Sequence, residues 1–236
     1  MSVLSRRDTL VLLGTTSIAY LIGGKPGAIP TLDAMSRPLC VVRPEQTEGP
    51  YFVDERLHRS DIRTDPISGR SVPGTPFALT FHVSRFRAGE CHPLPDAQVD
   101  VWHCDARGVY SDVEDPGFNT VGQKFLRGHQ MTDAQGDARF MTIYPGWYPM
   151  RTVHIHFKIR TTPRARRAVE FTSQVYCPDE LTDRVQGSLP YSSNGSRRMR
   201  NRQDFIFRQG GDALMLDPTA THDGYAATFP IGLEIP

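Results

Sequence analysis

Two histidines separated by one residue, His154 and His156 in "TVHIHFKIR", are the side chains in this sequence best placed for chemistry. Neutral imidazole is a common metal ligand. In an extended chain, positions 154 and 156 leave one face while Val153, Ile155 and Phe157 leave the other. The pair can therefore hold one metal ion from a polar strand face whose opposite face packs into a core. A hydrogen-bonded or solvent-facing pair satisfies the same spacing. No acidic residue lies between positions 153 and 159, and Lys158-Ile159-Arg160 follow where a nearby carboxylate ligand would stand. No HExxH segment is present either, so a zinc hydrolase motif is missing. The candidates left nearby are tyrosines. Tyr148 lies six residues before His154 in "PGWYP", and Tyr110 closes the turn in "WHCDARGVYS". Taken singly, each reads as a packed aromatic with a hydrogen-bonded hydroxyl.

The elements that must position these residues read as strands. "TPFALTFHVSRF" (75–86) alternates, with Phe77, Leu79, Phe81 and Val83 on one face. "AQVDVWHCDARGVYSD" (97–112) gives a strand through Val99, Val101 and His103, then a turn at Ala106–Gly108. "DAQGDARFMTIYPG" (133–146) is a turn and a strand closed by Pro145-Gly146. The histidine strand follows, with "AVEFTSQVYCP" (168–178) as its antiparallel neighbour and a short helix at 179–187. "RQDFIFRQ" and "GYAATFPIGL" read as closing strands. Residues 192–203, rich in Ser, Asn and Arg, read as a solvated loop. With 20 Gly, 19 Pro and few 3.6-period patterns, the expected fold is all-β. It is an antiparallel β-sandwich with irregular loops and at most one or two short helices.

Taken together, "TEGPYF", "VDVWHCDARGVYSD", "YPGWYPMRTVHIHFKI" and "TSQVY", in that order, resemble the intradiol ring-cleavage dioxygenases. The resemblance runs from about Arg43 to Cys177, and its wording is closest to exported members of the family. It implies one non-haem ferric iron per chain, held by Tyr110, Tyr148, His154 and His156. Hard phenolate oxygens suit Fe(III), and imidazole nitrogens complete the set. The implied reaction inserts both atoms of O2 into a catecholic aromatic. The bond between the two hydroxylated carbons is cut, giving a cis,cis-muconate-type product. Tyr148 is implied as ligand and base, Arg151 as the guanidinium that stabilises charge on the substrate, and Gln174 as its polar neighbour. Tyr51 is implied as a substrate-pocket residue, while His103 and His129 match no ligand position. The stretch between Tyr148 and His154, "PMRTV", is shorter than in protocatechuate and catechol enzymes, which leaves the pocket wall and substrate identity open. Two other readings compete: a non-catalytic exported β-sandwich binding module, and a copper or zinc site built on the two histidines.

The whole chain adds bounds. Its 236 residues fit one sizeable core, and its net charge of +1 gives no electrostatic reason to expect nucleic acid or an anionic membrane surface as partner. Residues 1–35 form a separate segment, and 36–236 a single domain. "SRRDTL" with Arg6-Arg7, followed by an apolar stretch around Leu10–Ile22, resembles a twin-arginine export signal. The export machinery is then a partner, and the destination is the periplasm or extracellular space, with membrane anchoring where the leader is retained. There is too little chain before Arg43 for the helical dimerisation module of the catechol-cleaving branch, which leaves homo-oligomerisation open. Four cysteines without a C-x-x-C pair argue against structural zinc. Cys91 and Cys104 flank one strand and are the expected disulfide, with buried free thiols as the alternative.

Overall fold

The computed structural model describes residues 40–161 and 168–235. The leader segment of residues 1–35 lies outside them. The strands are β1 (Pro76–Arg87), β2 (Glu90–Pro93), β3 (Gln98–Trp102), β4 (Glu114–Asp115), β5 (Phe118–Asn119), β6 (Arg127–Met131), β7 (Asp137–Ile143), β8 (His154–Arg160), β9 (Glu170–Tyr176), β10 (Thr219–Ala220) and β11 (Tyr225–Glu234). One α-helix, α1 (Asp179–Gln186), follows β9, and short 3-10 turns occur at Tyr191–Asn194, Asn201–Gln203 and Gly211–Leu214. Among the described residues no helix is long and apolar enough to cross a membrane.

Two sheets make the sandwich. One has the order β10-β11-β1-β2, with β7 also pairing to β1, and the other has the order β6-β3-β8-β9. The expected alternation holds in β1, where Phe77, Leu79, Phe81 and Val83 are fully buried. Facing them are Val99 and Val101 of β3 and Ile155, Phe157 and Ile159 of β8, also buried. Phe157 lies 4.9 Å from Phe81 and 5.7 Å from Phe229 between ring centroids, so the two sheets interlock at that point. The first sheet is mixed, because β11 runs parallel to β1. The other strand pairings of the two sheets are antiparallel.

The opposite face of the second sheet carries the chemistry. Its register aligns Trp102, His156 and Gln174 in one row and His154 with Tyr176 in the next. This face is buried as well. The lead-in runs beside β9, with Gln46 N donating to the Thr172 carbonyl at 3.0 Å, and Leu216 N donates to the Tyr176 carbonyl at 2.7 Å. Irregular segments from both ends of the domain thus cover the polar side chains.

Three expectations are corrected. The disulfide is Cys40–Cys91, with Cα atoms 5.6 Å apart, while Cys104 and Cys177 are buried free thiols. Cys91 lies on the β1–β2 hairpin, and the lead-in, bonded through Gly232 N to the Val41 carbonyl, brings Cys40 to it. Cys104 instead points inward, its Sγ 3.4 Å from the Gly146 carbonyl. "RQDFIFRQ" is a 3-10 turn and loop rather than a strand, because the Asp204 carboxylate captures Ile206 N and Phe207 N. Such local side-chain bonds compete with a ladder. Within 192–203, Asn201 is buried, and the almost fully buried Arg197 side chain pairs with Asp179 and Asp183, so this charged run is partly built into the domain.

Candidate metal centre

Two loops and one strand converge on the buried face. The loop after β3 carries Tyr110 and the loop after β7 carries Tyr148. Glycines let these loops meet backbone to backbone. A Cβ on Gly108, at φ +84°, would lie 2.4 Å from the Trp147 carbonyl oxygen, and one on Gly146 would lie 2.5 Å from the Asp105 carbonyl oxygen. Only glycine tolerates such an approach, and Gly108 also needs the left-handed conformation. Arg127, buried, fixes the rear of the Tyr110 loop by donating from Nε to the Ser111 carbonyl at 3.0 Å and from Nη1 to the Tyr51 carbonyl at 2.6 Å. The short turn 149–153 reverses through Met150 at φ +69° and returns Arg151 to the site.

Tyr110, Tyr148, His154 and His156 are thereby brought together. His154 Nδ1 donates to the Thr152 carbonyl at 2.6 Å, which leaves a lone pair on Nε2. Around that one lone pair stand His156 Nε2 at 3.0 Å, Tyr148 Oη at 3.2 Å, Arg151 Nη1 at 3.4 Å and Tyr110 Oη at 3.5 Å. One lone pair cannot serve that many donors. A cation between the two phenol oxygens and two ring nitrogens would relieve the conflict, because each could then direct a lone pair at it. The His156 ring stacks on Trp102 (centroids 5.0 Å apart, planes within 10°), and its Nδ1 has no partner among the described residues. On the lead-in, Gly49 takes the left-handed conformation at φ +72°, where a side chain is strained, and its Cβ would crowd His156 Cε1 at 3.3 Å.

The electrostatics fit a highly charged metal. Burial, added to by the neighbouring phenol, holds Tyr110 protonated well above the usual range. Burial also raises Tyr148, although Arg151 pulls the other way. Burial, with Arg151 nearby, pushes both histidines well below their usual value, so both are neutral. The donor set is thus two neutral imidazoles and two phenols that ionise only against a strong positive charge. Among the described residues no group of three or more His, Cys, Asp or Glu side chains could hold a metal. The oxygen atoms standing beside His154 Nε2 are those of Tyr110 and Tyr148.

The other expected residues take distinct places. Arg151 donates from Nε to Asp204 Oδ2 at 2.8 Å and from Nη2 to Gln174 Oε1 at 2.6 Å, leaving Nη1 facing the donors. Gln174 meets Arg151 and Tyr176, whose hydroxyl lies 3.1 Å from Gln174 Oε1 and donates to Gln46 Oε1 at 2.6 Å. Tyr51 stacks on Tyr110 (centroids 4.4 Å apart), but its hydroxyl turns away to donate to Asp115 Oδ2 at 2.8 Å. Its pKa is pushed up to about 12 by burial and by that carboxylate. His103 is fully buried between the Cys104 carbonyl and Thr142, and His129 stacks on His58. Sequence reasoning missed Asp204, Tyr176 and Gln46. Asp204 was hidden inside what looked like an alternating strand. The one available signal was an Asp two and three residues before backbone N–H groups it could bond, a turn signature.

The sheet-borne histidines, loop tyrosines and fixed arginine form one buried polar site on a β-sandwich. The chain belongs to the intradiol ring-cleavage dioxygenase family: the sequence model of a family described as "Dioxygenase" matches residues 47–189. Among similar solved structures, an intradiol ring-cleavage dioxygenase from Tetranychus urticae superposes with a TM-score of 0.71 at 28% identity, covering 83% of this chain and 95% of that one. The dioxygenase domain of a dioxygenase–carbohydrate-binding fusion from a Streptomyces species gives 0.58 at 28% identity, covering 83% and 100%. Hydroxyquinol 1,2-dioxygenase of Corynebacterium glutamicum is 27% identical over 139 residues, 51% of this chain and 42% of that enzyme. The aligned stretch thus spans less than half of that relative.

Proposed function

We propose that the protein is a ferric-iron-dependent intradiol dioxygenase acting on a catecholic aromatic. It inserts both atoms of O2 and cleaves between the hydroxylated carbons to give a cis,cis-muconate-type dicarboxylate. The observation that carries this reading is the convergence of two phenol oxygens, two imidazole nitrogens and one fixed guanidinium on a single buried point. Bound there, ferric iron would supply Lewis-acid chemistry that makes a catecholic ring reactive toward O2. Tyr110, Tyr148, His154 and His156 would hold it.

The protein's own residues divide the remaining work. A catechol sheds two protons on chelation. Tyr148, half-buried and carried on a loop, is the side chain suited to take one of them at Oη, the other passing to solvent, whereas Tyr110 is sealed in. Arg151 Nη1 faces the space the substrate ring would enter and stabilises negative charge there, in a site where water competes poorly. Gln174 keeps that guanidinium oriented. Tyr51 offers an aromatic wall beside Tyr110. Relatives named for hydroxyquinol and chlorocatechol support a substrate with adjacent hydroxyls. The reading includes export along the twin-arginine route, which the Cys40–Cys91 disulfide supports, since disulfides persist in oxidising compartments.

The test is product analysis. Iron-loaded protein incubated with catechol under isotopically labelled O2 is expected to yield a ring-opened dicarboxylic acid carrying both labelled atoms. A semialdehyde product, or a single labelled atom, would refute the intradiol assignment.

A further inference from the structure

The segment that holds Arg151 and Thr152 lies beyond residues 47–189, the stretch matched by the family. Asp204 is completely buried, and its carboxylate accepts four hydrogen bonds. Oδ2 takes Arg151 Nε and Thr152 N, both at 2.8 Å, while Oδ1 takes Ile206 N at 2.7 Å and Phe207 N at 3.2 Å. All four lone-pair directions are thus occupied. Thr152 is gripped a second time, its Oγ1 donating to Asn201 Oδ1 at 2.6 Å, and Asn201 Nδ2 donates to the Cys177 carbonyl at the end of β9. The Thr152 carbonyl in turn receives Nδ1–H of His154 at 2.6 Å.

We infer that this turn, Asn201 to Phe207 with Asp204 at its centre, is a positioning clamp that sets both the direction of Arg151 and the tautomer of His154. The inference rests on the proposed iron site. One arm runs from Asp204 through Thr152 to His154 and keeps Nε2 as the lone-pair nitrogen facing the centre. The other runs from Asp204 to Arg151 Nε and, with Gln174 on Nη2, leaves Nη1 no direction but toward the donors. Asn cannot replace Asp204 here, because whichever way its amide turns, its NH2 meets N–H donors. Partners of a ligand's far nitrogen fix ring orientation, and their loss typically costs 10- to 100-fold in metal affinity or activity.

The experiment uses the full chain with Asp204→Asn and, as a gentler break, Thr152→Val, which removes only the bond to Asn201. Iron affinity by chelator competition, kcat and KM per bound iron, and imidazole nitrogen-15 shifts of metal-free protein are compared with wild type. For Asp204→Asn, iron affinity and per-iron kcat are each expected to fall 10- to 100-fold, with KM moving less than threefold. The His154 signals are expected to show a mixture of tautomers. Thr152→Val is expected to lower iron affinity several-fold, and it decides the matter if Asp204→Asn does not fold. Variants that melt earlier but keep wild-type iron affinity, per-iron kcat and His154 tautomer would overturn the clamp. If wild-type protein takes up no iron, the proposed function fails. The tautomer comparison in metal-free protein then decides the clamp alone.

Discussion

Iron loading of this protein should expel two protons, one from each tyrosine, and none from the histidines. Before loading, burial keeps Tyr110 and Tyr148 above the ordinary phenol value. At pH 8 even an unshifted phenol with pKa near 10 is only about 1% ionised, and these two are less so. His154 and His156 are held well below their usual value, so both are already neutral at pH 7 and release nothing. Binding as two phenolates and two imidazoles then couples metal affinity to the inverse square of the proton concentration. Between pH 7 and 9 the intrinsic affinity should rise about 100-fold per pH unit, and about 10-fold per unit in Tyr148→Phe. The assay is competition for Fe(III) against a chelator whose own proton stoichiometry is known, repeated at intervals of half a pH unit. A flat profile, or the same slope in wild type and Tyr148→Phe, would refute double phenolate ligation.

Other consequences concern the scaffold. Burial, aided by the charge of Arg127, lowers His103 from 6.5 to about 4, so the folded state resists protonation that the unfolded chain accepts. That stability is complete above pH 6.5 and is lost as pH falls toward 4, reaching about 3 kcal/mol. Urea unfolding at pH 7 and pH 4.5 should show a smaller acid loss in His103→Gln than in wild type, and equal losses would contradict the account. Gly108→Ala should cost at least ~1–3 kcal/mol and lower iron content, because its Cβ meets the Trp147 carbonyl at 2.4 Å in a left-handed backbone. A melting temperature and iron content equal to wild type would show that the two tyrosine loops do not depend on that contact. Cys91→Ser opens a loop of sequence separation 51, for which the chain-entropy relation gives about 4 kcal/mol. Denaturant titration that finds less than about 1 kcal/mol would show that the bond constrains little in the unfolded chain.

Period-2 alternation made β1 and β8 legible, because a strand buried on one face leaves that pattern in the sequence. The same pattern put His154 and His156 on one face before any partner was known. Tyr110 and Tyr148 were legible only as parts of a family-like wording, since a tyrosine after a turn has no local signature of its own. What brings them together is Gly108 against Trp147 and Gly146 against Asp105, contacts between loops distant in sequence. The parallel pairing of β1 with β11 leaves no local trace either. The cysteine pairing was misread because flanking one strand says nothing about which chain end passes beside the β1–β2 hairpin. Asp204 was misread for a different reason. "DFIF" alternates like a strand, yet the aspartate's bonds to Ile206 N and Phe207 N fold it into a turn. Arg151 was legible, but the two groups that aim it, Asp204 and Gln174, lie on separate segments.

The most direct test of the metal centre is the visible spectrum of iron-loaded protein before and after anaerobic addition of catechol. Two tyrosinates on ferric iron predict a burgundy-red protein with a broad charge-transfer band. That band should move to longer wavelength as catechol chelates, and Tyr148→Phe should weaken it. A protein that stays colourless after iron supplementation, with no iron by elemental analysis, would contradict the ligand set of Tyr110, Tyr148, His154 and His156.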